Sequence, residues 1–325
     1  MQAILAVTIP FFALVLCGYL AARQRVLPES AIPGLNAFVL YFALPCLLFR
    51  FGMSTPLAQL LNPALLAVYL LAALVIVFFT IAVTLSPRVR LKDAAFGALV
   101  AAFPNTGFMG VPLLVALLGP AAAGPVISSV LADLVVTSSL CIALAQAHDA
   151  TGRGARPAAA KALRGVLANP LPWAIALGAL ASASGLVLAG PPAVVLRMLA
   201  DAASPVALFT IGAVLWRAGQ HAHTRTPPAL YLPVAAIKLF VHPLLVFALC
   251  GAAVALGAPI SGFQVTVLTL AAALPSASNV SLLAERYGAD NGRIARIILA
   301  STALAFITFT LLAWAFGVQV PQPGP

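Results

Sequence analysis

The chain has 325 residues, of which 63% are hydrophobic and only 7% charged, with a formal net charge of +10. So little charge cannot cover the surface of a water-soluble domain of this size, so the composition points to an all-α polytopic membrane protein with no length left over for a soluble domain. The positive charge does not imply a nucleic-acid partner either: 14 of the 17 Lys and Arg fall in or beside five short connections, the pattern by which basic residues set membrane topology.

Ten apolar runs follow in order, at 2–22, 31–52, 63–86, 92–117, 121–147, 166–185, 192–217, 228–256, 259–285 and 290–317. The first lacks a basic leader and exceeds a signal-peptide core of roughly 7–15 residues, so it reads as a retained transmembrane helix. Basic residues occupy the first, third, fifth, seventh and ninth connections, and the even connections carry no charge. This alternation predicts odd connections in the cytoplasm and both termini on the outer, periplasmic side. Arg outnumbers Lys 14 to 3 in an Ala-rich chain, which fits a GC-rich bacterium and its inner membrane. Arg50 and Arg197 lie near outer helix ends, where snorkelling can hold them. The connection 148–165, small, polar and basic, reads as a cytoplasmic linker between two halves, 1–147 and 166–325. Cys17, Cys46, Cys141 and Cys250 each sit in an apolar run without CxxC spacing, which implies neither disulfides nor a metal site.

The halves align on one another. Pro10 matches Pro172, Pro45 matches Pro205, Pro63 matches Pro228, Pro104 matches Pro275 and Gly124 matches Gly292, all in order and within a narrow band of offsets. Five helices per half is an odd number, so the second half enters the bilayer from the opposite side and the repeat is inverted. Its fourth and ninth runs are both interrupted by proline. Pro104 has no N–H for the carbonyl of Val100 and pushes Phe103 out of the α region. Asn105, Thr106 and Gly107 follow it, and Ser276, Ser278 and Asn279 follow Pro275. Matched broken helices at mid-membrane depth are the sequence signature of a transporter's binding site. Each break offers free N–H groups and a positive dipole end on one side, and free carbonyls on the other. The pair predicts a site for an anion, with a cation or proton opposite.

Ionisable residues inside the runs are few and each demands a reason. Asp133 shares a helix face with Ser129 and Thr137, and Lys238 lies one turn from His242. An Asp133–Lys238 pair either couples transport to a proton or sodium ion, or is a structural ion pair. Asp201 is expected to pair with Arg197 one turn earlier. Glu285 with Arg286, and Asp290 with Arg293, read as solvated charges. Gly18, Gly97, Gly178 and Gly212 read as points of close helix packing. No GxxxxGK[ST], HExxH or GxSxG occurs, so the chain reads as no enzyme, with no metal and no cofactor beyond a coupling ion.

The segments FPNTGFMGVPLL, LPSASNVSLLAERYGAD, PCLLF and KLFVHPLL resemble the auxin efflux carrier family, whose bacterial members include malonate-type carriers. The resemblance covers essentially the whole chain. It implies a scaffold of helices 1, 2, 6 and 7 that dimerises, a mobile unit of helices 3–5 and 8–10, and elevator-type transport of small organic anions such as malonate-like carboxylates or auxin-like acids. The plant carriers begin the fourth-helix motif with Asn-Pro-Asn where this chain has Phe103-Pro104-Asn105, so plant-type auxin recognition does not carry over. The alternative within the same architecture is a sodium- or proton-coupled cation antiporter or a bile-acid-like symporter.

Overall fold

The computed structural model describes residues 1–56, 62–147, 167–220 and 226–320; the predicted linker 148–165 lies outside the described residues. Twelve helices among them follow in order: α1 Gln2–Arg23, α2 Glu29–Ser54, α3 Pro63–Thr84, α4 Leu91–Ala102, α5 Thr106–Leu118, α6 Pro120–Gln146, α7 Pro170–Ala183, α8 Gly190–Gln220, α9 Pro228–Ala255, α10 Gly262–Ala272, α11 Val280–Arg286 and α12 Asn291–Ala315. Among the described residues, seven of these are long and apolar enough to cross a membrane, and α5, α7 and α10 are shorter apolar helices. The fourth and ninth apolar runs are each split in two, into α4 with α5 and α10 with α11.

Local chemistry starts the helices where the sequence places them. Asn62 caps α3 by accepting from Ala64 N and Leu65 N, and Asn169 caps α7 from Leu171 N. In both, proline takes the first helical position, where its missing N–H costs nothing. Ser261 and Gln264 close a reciprocal capping box on α10.

Among the described residues three π turns interrupt α2, α6 and α9, at Val39–Ala43, Asp133–Thr137 and Ile237–Val241, and a fourth, Thr106–Gly110, opens α5. Three of the four are followed at once by a proline, Pro45, Pro112 or Pro243. Proline cannot donate to the carbonyl four residues back, and the wider i→i−5 bond just before it re-routes the ladder. The turn at Asp133–Thr137 has no proline after it. There the Ser138 hydroxyl donates to the Asp133 carbonyl at 2.8 Å, a side-chain intrusion of the kind that widens a helix.

Glycines set the closest approaches. A Cβ on Gly18 would stand 1.8 Å from the Phe209 carbonyl oxygen, and one on Gly212 1.9 Å from that of Val15, so α1 and α8 touch backbone to backbone. Gly178 meets the Phe49 carbonyl in the same way, at 2.5 Å, where α7 crosses α2. Without a hydrophobic drive between helices in lipid, such contacts supply the packing energy. Gly97 differs: its neighbour is the Arg293 guanidinium, 2.8 Å from where a Cβ would sit.

That arginine corrects the expectation of a solvated charge. Arg293 is 1% exposed; its Nε donates to the Leu230 carbonyl and its Nη1 to the Asp93 carbonyl, while Asp290 Oδ1 accepts from its backbone N–H. The cationic head can be buried because backbone acceptors from α9 and α4 converge on it. Asp201 also departs from the prediction, for it pairs with Arg50 at 2.7 Å rather than with Arg197. The packing of α8 against α2 brings that partner closer than the one on its own helix.

Candidate functional site

The two breaks lie against each other. Asn105 N donates to the Pro275 carbonyl at 2.8 Å and Ala277 N to the Phe103 carbonyl at 3.0 Å, so Pro104 and Ser276 face one another in a single antiparallel bridge. The carbonyl of Val100, orphaned by Pro104, accepts from the Ser276 hydroxyl at 2.7 Å. Ser276 N in turn donates to Ser301 Oγ at 3.2 Å. This leaves the Ala272 carbonyl, at the end of α10, without its intrahelical donor, and Lys238 Nζ supplies one at 2.6 Å. Each backbone group freed in this chain of bonds is answered by the next, as membrane depth requires.

Of the residues singled out in the sequence, Pro104, Asn105, Thr106, Pro275, Ser276 and Ser278 are buried, while Gly107 and Asn279 retain partial exposure. A Cβ on Gly107 would meet nothing within 4 Å, whereas one on Gly110 would press on Leu274 Cδ1 at 2.6 Å. The open flank of the crossing is therefore at Gly107. The first turn of α5 there presents backbone N–H groups without intrahelical carbonyls, and a positive dipole end with them.

Behind the crossing lies a buried polar cluster. Asp133, Lys238 and His242 are each 0% exposed. The Tyr69 hydroxyl donates to Asp133 Oδ2 at 2.8 Å, and the Thr137 hydroxyl lies 3.2 Å from Asp133 Oδ1. Lys238 Nζ is 3.2 Å from His242 Nδ1, whose ring stacks obliquely near that of Tyr69, 6.1 Å between centroids. The structure thus gathers the carboxylate and the ammonium into one cluster, with each hydrogen-bonded to different groups. Ser129 turns its hydroxyl to the Val126 carbonyl at 2.7 Å. Both charges sit on π turns, which open the helical ladder around them. Lys238 also places a cation at the negative end of the α10 dipole.

Tyr69 and Ser301 belong to this arrangement and were not singled out from the sequence. Tyr69 had a legible signal, as a phenol in the middle of an apolar helix that must find a hydrogen-bond partner. Ser301 had none, since in the sequence its hydroxyl is indistinguishable from those of Thr302, Thr308 and Thr310, which bond carbonyls of their own helix.

A cavity of about 360 Å³ opens beside the crossing, at the helix ends that carry the basic connections. Asn36 and Tyr41 of α2 and Arg217 of α8 line one wall, and Ser281 and Glu285 of α11 line the other. Arg217 reaches Glu285 across it at 3.9 Å. Ser281 is buried on the floor and donates to the Ser278 carbonyl at 2.9 Å, which joins the cavity to the second break.

Long apolar helices around paired broken ones, with polar backbone at their meeting point, define a multi-pass membrane transporter. The chain belongs to the membrane transport protein family, which matches residues 3–313, in agreement with its resemblance to the auxin efflux carriers. It is 31% identical over 324 residues to the "Putative malonate transporter" of Rhizobium meliloti, covering 97% of this chain and 96% of that one. It is 24% identical to the "Uncharacterized transporter YfdV" of Escherichia coli, over 95% of both chains. An "Uncharacterized transporter" of Methanothermobacter thermautotrophicus is 27% identical over 92% of this chain and 93% of its own.

Proposed function

We propose that this chain is a secondary active carrier of small organic anions, malonate-like carboxylates or auxin-like acids, with the cargo held where the two broken helices cross. The observation that carries this reading is the antiparallel contact of Pro104 with Ser276, beside which a side chain at Gly107 would meet open space. A carboxylate bound by backbone N–H groups and by Asn105, Thr106, Ser278 and Asn279 needs no buried arginine, and a site without one releases its cargo more readily. A malonate transporter name on a relative aligned over nearly the whole chain supports the cargo class.

In this reading the ten runs form a 5+5 inverted repeat. The scaffold is α1, α2, α7 and α8, a homodimerising frame, and the remaining helices carry the crossing past it as an elevator. The glycine contacts that lock α1 to α8 and α2 to α7 favour a rigid scaffold. The cavity between α2 and α11 is the cytoplasmic access route, and Arg217–Glu285 spans the boundary between the two units. The membrane is the bacterial inner membrane with both termini outside. Asp133, Ser129, Thr137, Lys238 and His242 form the coupling centre, taking up a proton or a sodium ion as the unit moves.

Uptake of labelled malonate and related acids into proteoliposomes, with proton, sodium and voltage gradients imposed separately, tests the proposal. Carboxylate accumulation driven by one gradient is the expected result. Cation exchange with no organic cargo moved would overturn it in favour of an antiporter.

A further inference from the structure

Three basic residues break the charge pattern that fills the cytoplasmic connections. Lys238 is accounted for by the buried cluster. The other two, Arg50 and Arg197, stand 147 positions apart in the chain, yet the fold brings both into one groove. Arg197 and Arg217 share α8 and are twenty residues apart, so about 30 Å of helix separates them, the thickness of a hydrocarbon core. With Arg217 on the inner interface, the groove lies at the outer one.

The groove holds about 650 Å³ and has walls of Leu186, Val187, Leu188 and Val194, with Val187 82% exposed. Asp201 holds the Arg50 guanidinium at 2.7 Å and lies one helical turn beyond Arg197. Two guanidinium groups against one carboxylate leave a net positive charge at the head of an apolar trough. Among the described residues, every lining residue comes from the end of α2, from the start of α8 or from the connection before it, and none from α5 or α11. The groove is therefore separate from the crossing and from the route to it.

We propose that this groove seats an anionic phospholipid of the outer leaflet, its phosphate on Arg50 and Arg197 and an acyl chain along the apolar wall. A phosphodiester accepts paired N–H bonds from guanidinium groups, and Asp201 keeps Arg50 aimed. The trough supplies the apolar half that a soluble anion does not need. The inference is independent of which cargo the protein carries.

The test is thermal unfolding of the purified full chain titrated with phosphatidylglycerol, phosphatidylcholine or glycerol phosphate, together with native mass spectrometry of retained lipid. Phosphatidylglycerol is expected to raise the melting temperature more than phosphatidylcholine, with retained phosphatidylglycerol in the spectrum. Arg50→Gln with Arg197→Gln should erase that preference, and Arg50→Lys with Arg197→Lys should keep most of it. Equal shifts for both lipids, or a preference that survives the double Gln variant, would overturn the proposal. So would a full shift from glycerol phosphate, which would make the groove a soluble-anion site, or cross-links showing a second copy of the chain seated in it.

Discussion

The two broken runs, α4 with α5 and α10 with α11, are both split at a proline, yet they are braced differently. The second break is clamped: Ser276 is bonded through both its hydroxyl and its N–H, and Lys238 closes the α10 end behind it. The first break receives that support from its partner, and its own Gly107 faces open space. One break thus acts as a buttress, and the other carries the open flank to which we assign the cargo. A site that must grip and release gains from this division, because its donors are held rigidly while one flank stays accessible.

The largest effect of removing the buttress is expected at Lys238. Lys238→Met leaves the buried Ala272 carbonyl unanswered and removes a charged hydrogen-bond donor, a loss of about 2–3 kcal/mol. Asp133→Asn together with Lys238→Met should recover part of it, and chemical unfolding of the single and double variants reads the coupling. Next comes Ser276→Ala, which strands the Val100 carbonyl and should cost about 1–3 kcal/mol in the same assay. The glycines sharpen the contrast further. Gly110→Ala must displace Leu274 and should lower stability by about 1–3 kcal/mol. Gly107→Ala should leave the melting temperature near that of the wild type while narrowing the range of acids transported, because its methyl group enters the accessible flank. The smallest effect is expected at the cavity mouth. Glu285→Gln removes a carboxylate from the cavity mouth facing Arg217, and should lower the KM for anion presented on the cytoplasmic side several-fold while leaving unfolding nearly unchanged, as expected for a partly exposed pair.

The paired breaks were legible because proline acts through the backbone, wherever the chain later packs. From Pro104 alone it follows that the Val100 carbonyl needs a donor. That Ser276 supplies it does not follow, since 176 residues separate the two and only the crossing joins them. The same limit hid the depth of Arg293, whose acceptors are carbonyls of α4 and α9, and gave Asp201 a partner on another helix. Spacing along one helix ranks only the neighbours on that helix. The π turns left a local trace, a proline just after three of them, but hydropathy periodicity is blind to a one-residue widening.

Whether the crossing holds an anion is read by equilibrium binding of labelled carboxylates to the purified chain, wild type against Asn105→Ala, with the melting temperature as a control for folding. Saturable binding by the wild type, lost in an Asn105→Ala variant that melts normally, is the predicted result. Binding of equal strength in both proteins would contradict an anion site at the crossing.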